Sequence, residues 1–311
     1  MAPNINLGLF SLPAYYSMLV VGFSVCIFMG WLECRRTGLD PRAWLDMCIV
    51  LVITAMLGAR FMHVLAENMP HDFYYSASLH KGAATIAELT SKGANDIELV
   101  ALRGEPIRKF YFHFPAQIFY LWKGGLAFYG GLLLATASCM GFMVLRKMPV
   151  VKTTDVVMSI IPLGLVFGRL GCFLNGCCFG LRSVCCGVEF PKASAAYAEM
   201  RNSGVVGHSD LHTPPVLPSM LYEAAACLAI FIWLFFIVRP RKRFDGQIST
   251  LFGIAYSVAR FIIEYSRNDN RGSFFAGTFS ASQVVSLCVF TFSVVMYYML
   301  SKKNTHASRT V

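Results

Sequence analysis

The segment LPSMLYEAAACLAIFIWLFFIV (residues 217–238) carries one charge, Glu223, and runs directly into RPRKR (residues 239–243). A bilayer core of about 30 Å takes roughly 20 mostly apolar residues as a helix, and Lys and Arg collect at the cytoplasmic end of such a span. The segment therefore reads as a membrane-crossing helix with a basic cytoplasmic flank. The same pattern recurs along the chain, in windows at about 13–32, 45–67, 124–145, 155–175, 247–265 and 280–300. The sequence thus predicts an all-α polytopic membrane protein, a single domain over residues 1–311 with seven transmembrane helices. Two longer segments, about 69–123 and 176–216, form its exterior arm and head.

Only 14% of the 311 residues are charged and 56% are hydrophobic, whereas soluble domains carry roughly 25% charged residues. Mean hydropathy is +0.56. This balance excludes a soluble enzyme, and it excludes disorder, because so apolar a chain would not stay solvated. The net charge of +10 is then first a matter of sidedness. Thirteen of the 27 Lys and Arg lie in the first, third and fifth short connections and the C-terminal tail, whereas the sixth connection holds only Arg267 and Arg271. The positive-inside rule places the N-terminus outside and the C-terminus in the cytoplasm. The first basic residue is Arg35, so the N-terminal span reads as a retained helix and not a cleaved signal. No nucleic-acid partner is expected. The lack of an internal repeat argues against a solute transporter.

Three cations fall inside predicted spans: Arg60, Arg169 and Arg260. An arginine at mid-membrane costs about 2.5–3.5 kcal/mol on insertion scales and does not escape by losing its proton. Compensation comes either from internal acids, with Glu67, Glu223 and Glu264 available, or from an anionic ligand. In the sixth span Tyr256, Arg260, Glu264 and Arg267 recur at spacings of four, four and three, which places them within about 80° of helical arc. The stripe holds two cations against one anion, and a structural salt-bridge ladder is the alternative to an anion site.

Gly124-Gly125-Leu126-Ala127-Phe128-Tyr129-Gly130-Gly131 opens the third span, and four glycines in eight residues imply close backbone approach. Gly164, Gly168 and Gly171 flank Arg169 in the fourth span, where helix packing explains the glycines but not the Arg or the following Asn175. Of eleven cysteines, Cys26, Cys34, Cys48, Cys139, Cys227 and Cys288 read as small apolar residues. Cys172, Cys177, Cys178, Cys185 and Cys186 cluster at the outer end of the fourth span, where one or two disulfides are the leading reading and free thiols the next. No metal site is expected, since two adjacent Cys-Cys pairs lack paired C-x2-C spacing.

Taken in order, these segments resemble the prolipoprotein diacylglyceryl transferase family from the first span to the last. Tyr15 with Gly22-Phe23 is similar to its first-helix motif, and Gly58-Ala59-Arg60 to its Gly-x-Arg. The stretch from Gly124 to Gly131 resembles G-G-[LM]-[SA]-F-H-G-G, and that from Gly168 to Gly180 resembles G-R-[LI]-G-N-F-x-N-G-E-x-x-G. Residues 218–224 resemble P-S-Q-L-Y-E-A, the stripe resembles Y-x3-R-x3-E-x2-R, and Ser282-Gln283 matches a closing S-x-x-Q in part. Three positions depart: Tyr129 stands for the family His, Cys172 for its first signature Asn and Cys177 for its Glu.

The resemblance implies transfer of diacylglycerol from phosphatidylglycerol to the lipobox cysteine of a secreted preprotein, in the bacterial inner membrane and without a cofactor. It implies Arg169 and Arg260 on the phosphate, Glu264 and Asn175 as orienting groups, and Tyr129 as a hydrogen-bonding residue where the family's proton acceptor stands. Tyr15, Arg60, Gly125, Gly130, Gly180, Tyr222, Tyr256 and Arg267 are the implied substrate-binding residues. His63 and His113 are substitute bases. The departures leave a second reading open, a paralogue that binds an anionic phospholipid without transferring it.

Overall fold

Long, largely apolar runs fold here into helices that tolerate a few interior polar residues, and the fourth span carries Pro162 within its helix. The computed structural model describes residues 4–6, 11–66, 127–207, 209–267, 273–274 and 279–307. His113, Gly125 and the whole of the segment 69–123, expected as an exterior arm, lie outside the described residues. The helices are α1 (Ala14–Thr37), α2 (Pro41–Ala66), α3 (Phe128–Leu145), α4 (Val150–Asn175), α5 (Ala195–Asn202), α6 (Ser219–Ile232), α7 (Gln247–Glu264) and α8 (Ala281–Ala307). Two short antiparallel pairs, β1 (Asn4–Asn6) with β2 (Ser11–Pro13) and β3 (Ser273–Phe274) with β4 (Phe279–Ser280), precede α1 and α8.

Five helical stretches among the described residues are long and apolar enough to cross a membrane: α1, α2, α4, Ser219–Arg241 and Ala281–Asn304. The chain is a multi-pass membrane protein. Of the seven expected spans, α3 is apolar but short, and α7 is diluted by its polar stripe. The fourth helix also begins five residues earlier than hydropathy suggests, at Val150, so Asp155 lies within it.

The chain divides into two compact units, one of residues 1–41 and 149–311, the other of residues 42–148. In the first, α1 packs along α4 through small residues: a Cβ on Gly171 would stand 3.2 Å from the Tyr15 ring, and one on Gly164 the same distance from Cys26 Sγ. The segment after α4 builds its own small core from Phe190, Tyr197, Val216 and Met220, with α5 capped by Ser194, whose Oγ accepts the Tyr197 N–H at 3.2 Å. In the second unit α2 and α3 meet through backbone, since a Cβ on Gly130 would collide with the Gly58 carbonyl, and Ala127 N–H donates to Ala59 C=O at 3.0 Å. Close helix contact thus accounts for the second Gly-Gly pair.

After Ile232 the fifth span continues as one π turn, Trp233–Val238, and a short 3-10 turn, Arg239–Arg241. Arg239 Nε then reaches Glu33 Oε1 of α1 at 2.6 Å, while its guanidinium lies 4.4 Å over Phe235.

Helix α7 has no side-chain cap of its own, because Gly246 occupies the N-cap. Asp155 of α4 supplies one: it accepts Gly246 N–H at 2.7 Å, Ser249 N–H at 2.8 Å and Ser249 Oγ–H at 2.6 Å, a carboxylate on the positive end of the helix. Lys242 Nζ joins it at 2.9 Å. Burial works against the Lys242 charge, but Asp245 and Asp155 outweigh it and hold the amine above its ordinary range. A folded value raised in this way contributes stability that is complete below the unfolded lysine range and is lost as pH climbs through the folded value. Asp155→Ala should lower stability by about 2–3 kcal/mol, read as an earlier melt in detergent; an unchanged melt would reject the capping role.

Candidate active site

One acid organises the polar centre of the first unit. Glu223, one turn into α6, is 1% exposed. Its Oε1 accepts Arg169 Nη2 at 2.7 Å and the Tyr256 hydroxyl at 3.1 Å, and its Oε2 faces Arg267 Nη1 at 3.9 Å. Three segments, α4, α7 and the turn after α7, are thus tied to α6 by one buried carboxylate. With two arginines on one acid, the cluster keeps a net positive charge.

A second pair stands on α7. Arg260 Nη2 lies 2.8 Å from Glu264 Oε2 and donates to Ser282 Oγ at 3.3 Å, while Ser280 Oγ–H donates to Glu264 Oε1 at 2.7 Å. Arg260 Nη1 is buried with no hydrogen-bond partner among the described residues. A buried guanidinium N–H left in that state is a prepared donor for an incoming anion. Ser280 and Gln283 cap α8 reciprocally: Gln283 N–H donates to Ser280 Oγ at 3.2 Å and Ser280 N–H to Gln283 Oε1 at 3.0 Å.

The stripe read from helical spacing therefore divides. Tyr256 reaches Glu223, Arg260 and Glu264 pair with each other, and Arg267 lies beyond the end of α7 in a bridge with Gly180. A continuous 80° arc does not describe Arg267, which is positioned by backbone and not by helical phase.

The exit of α4 forms a tight turn. Gly176 adopts φ +73° as C-cap, and Cys177 N–H donates to Cys172 C=O at 3.1 Å, which folds the chain back on the last helical turn. Cys178 is held at φ +63°, and its carbonyl accepts Ser219 Oγ–H at 2.9 Å. As a result the Sγ atoms of Cys172, Cys177 and Cys178 lie within 4.8 Å of one another. Hydrogen bonds from Cys172 and Cys177 hold the Cys178 thiol below its ordinary range, with Arg267 and Arg169 adding to the effect. Asn175 hydrogen-bonds Cys177, and Tyr15 packs against the same cluster.

A model of the prolipoprotein diacylglyceryl transferase family matches residues 4–95 and 98–299. The chain belongs to this family. It is 31% identical over 281 residues to a phosphatidylglycerol--prolipoprotein diacylglyceryl transferase of Paraburkholderia xenovorans (strain LB400), covering 85% of this chain and 80% of the relative. It is also 29% identical over 327 residues to the protein of that name from Paraburkholderia phymatum, covering 96% and 93%. The protein of that name from Burkholderia cenocepacia (strain HI2424) is 30% identical over 287 residues, covering 85% and 81%.

As a diacylglyceryl transferase family member, the chain gathers Tyr15, Arg169, Asn175, Gly180, Tyr256, Arg260, Glu264 and Arg267 in its first unit. Arg60, Tyr129 and Gly130 lie in the second unit, where Arg60 and His63 are buried and Tyr129 is exposed. Tyr222, on α6, is 40% exposed and points away from the Glu223 cluster one position further on. The family's closing S-x-x-Q is met by Ser280 and Gln283, so Ser282 is not its serine; Ser282 instead touches Arg260.

The cysteine expectations need correction. All eleven are free thiols, and the five from Cys172 to Cys186 divide into a trio, Cys172 buried with Cys177 and Cys178 half-buried, and the exposed pair Cys185 and Cys186, whose sulfurs are 3.2 Å apart. Cys288 is exposed on α8 and not buried. Spacing rules missed the trio because the turn at Gly176, not a C-x2-C hairpin, brings it together. Sequence reading also gave Glu223 only as a possible partner for an arginine, although its place in the first turn of α6 beside Pro218 was a signal for a positioned side chain.

Gly180 sits where a Cβ would run into the Ser266 carbonyl and stand 3.1 Å from Leu217. Its N–H donates to Leu217 C=O at 2.8 Å, and Leu181 N–H to Ser266 C=O at 3.0 Å. Gly180→Ala should therefore displace the strip that carries Arg267, lowering stability by about 1–3 kcal/mol, and reduce turnover as Arg267 moves from Glu223. A Gly180→Ala protein with ordinary melting and ordinary turnover would show that the close approach is dispensable.

Proposed function

We propose that this protein transfers the diacylglyceryl group of phosphatidylglycerol to the lipobox cysteine thiol of a prolipoprotein, as the names of its relatives state for them. The observation that carries this reading is the buried Arg260 Nη1, which has no hydrogen-bond partner among the described residues. In the reaction a thiolate attacks the glyceryl carbon and glycerol phosphate departs, so charge grows on the phosphate as the bond breaks. Arg260, with Arg169, is placed to stabilise that charge, while Glu264 and Glu223 fix the two guanidinium planes. Asn175, Tyr15, Tyr256, Gly180 and Arg267 shape the same site in this reading. Arg60, Gly125, Gly130 and Tyr222 are lipid or acceptor contacts, and Tyr129 is a hydrogen-bonding orienter.

In this reading the chain crosses a bacterial inner membrane seven times as a single domain, N-terminus outside, because thirteen cations mark one set of connections. A second reading, lipid binding without transfer, is favoured by Tyr129 and Cys172 where the family has His and Asn. Incubating the purified protein with phosphatidylglycerol vesicles and a lipobox peptide distinguishes the two. Release of glycerol phosphate with thioether formation is expected. Bound lipid with no release would leave the binding reading in its place.

A further inference from the structure

The family positions for a neutral Asn and an acidic Glu both hold cysteine here, the two sit beside a third, and the position of the family's proton acceptor holds Tyr129. We propose that Cys172, Cys177 and Cys178 bind one zinc ion as three thiolate ligands, and that its fourth position takes the acceptor's lipobox cysteine as the attacking thiolate. The proposal rests on the transferase reading above and deepens it by assigning the thiol-activating group.

The geometry is close to what the ion requires. Zinc bound tetrahedrally at about 2.3 Å per sulfur places its thiolates about 3.8 Å apart, and the three Sγ atoms already lie within 4.8 Å. Closing the site asks the sulfurs to approach one another by about 1 Å at most. The backbone is fixed: the Gly176 turn returns Cys177 to Cys172, and Ser219 holds the Cys178 carbonyl. Three protein ligands with one position open are the arrangement of catalytic zinc, whereas structural zinc is closed by four.

The chemistry supplies what the chain lacks. Zinc deprotonates a thiol that coordinates it, so no imidazole is needed at position 129. Before the acceptor arrives the fourth position holds hydroxide. The acceptor S–H gives its proton to that hydroxide, water leaves, and the thiolate takes its place. Sulfur then bonds to the glyceryl carbon of phosphatidylglycerol as the carbon–oxygen bond to phosphate breaks, and that electron pair departs on glycerol phosphate. The thioether product is neutral, binds zinc weakly and gives way to water. No electron is gained or lost overall, and the ion is unchanged.

The test uses the full-length, reduced protein in detergent, loaded with Zn(II) or with Co(II) as a spectroscopic substitute. One cobalt per chain with sulfur-to-cobalt charge-transfer absorption is expected. Adding a lipobox peptide should strengthen that absorption, while the same peptide with Ser for Cys should not. Cys177→Ser and Cys178→Ser should each weaken metal binding by tenfold or more, and the wild-type titration does not depend on either variant folding. Stripping the metal should slow transfer by about a hundredfold, the lower range of what a general base supplies, and zinc should restore it. Full-rate transfer by metal-free protein would overturn the zinc proposal and leave the transferase reading intact. So would a disulfide among the three thiols in active protein, or a cobalt spectrum indifferent to the peptide. If neither the metal-free nor the zinc-loaded form releases glycerol phosphate, the transferase reading fails, and the zinc role fails with it.

Discussion

Glu223→Ala should cost this protein about 3–5 kcal/mol, the penalty for leaving buried charge without its partner. The residue is 1% exposed and neutralises Arg169 while facing Arg267. Neither arginine can shed its proton, so the loss of one carboxylate leaves two cations in a site built for one anion. Against a typical folding stability of about 5–15 kcal/mol, that loss should reduce the yield of folded protein and lower its melting point sharply. Glu223→Gln keeps the shape and should behave nearly as badly, because charge and not volume is what the arginines need. The informative partner is the triple variant Arg169→Met, Arg267→Met and Glu223→Leu, in which apolar groups replace the acid and both arginines. Such replacements are often neutral or stabilising, so the triple variant should melt close to wild type yet release no glycerol phosphate. A Glu223→Ala protein that melts like wild type would show that the network is not what holds α4, α6 and α7 together.

Arg260→Ala should lower kcat/KM by about 10²–10³, equivalent to roughly 3–4 kcal/mol, the usual result of removing one donor aimed at developing charge. Glu264 and Ser282 hold Nη2 of this side chain and leave Nη1 buried without a partner among the described residues. The guanidinium is thus fixed before any lipid arrives. Arg260→Lys should recover little of the loss, because an ammonium group does not reproduce a planar fork that pairs on one side and presents a donor on the other. The measurement is glycerol phosphate release against lipid concentration. If the loss falls on KM alone, Arg260 binds the lipid equally in ground and transition states, and its part in bond breaking is refuted.

Hydropathy and charge made the membrane helices legible, because apolar length and basic flanks are local properties of the chain. The motifs put Arg169 on the fourth span and Arg260 and Glu264 on the sixth, and α4 and α7 carry them. What they could not show was pairing. Which acid meets which arginine depends on the docking of α4, α6 and α7, and so Glu223 emerges as the shared partner only in three dimensions. Arg267 was read by helical phase, and failed that reading, because the helix ends at Glu264 and a bridge to Gly180 takes over. The cysteine trio was hidden for a related reason: spacing templates assume hairpins, and here a left-handed glycine folds a helix end back on itself. The closing motif was read as Ser282-Gln283, and its serine is Ser280, whose reciprocal capping of α8 with Gln283 appears only once the helix start is known.

The π turn at Trp233–Val238 has a consequence for how this chain tolerates changes in length. Such a turn holds one residue more than the α-helical path needs, a lengthening that the helix has absorbed without breaking. Deleting a residue there would let the backbone relax to ordinary α geometry. Because the wide turn has absorbed that residue, the two flanks would stay in nearly the same phase: one half would still present Glu223 to the arginines, and the other would still deliver Arg239 to Glu33 of α1. The turn therefore acts as a length buffer within one helix, and homologous chains that are a residue shorter at this point can keep the same Glu33 anchor.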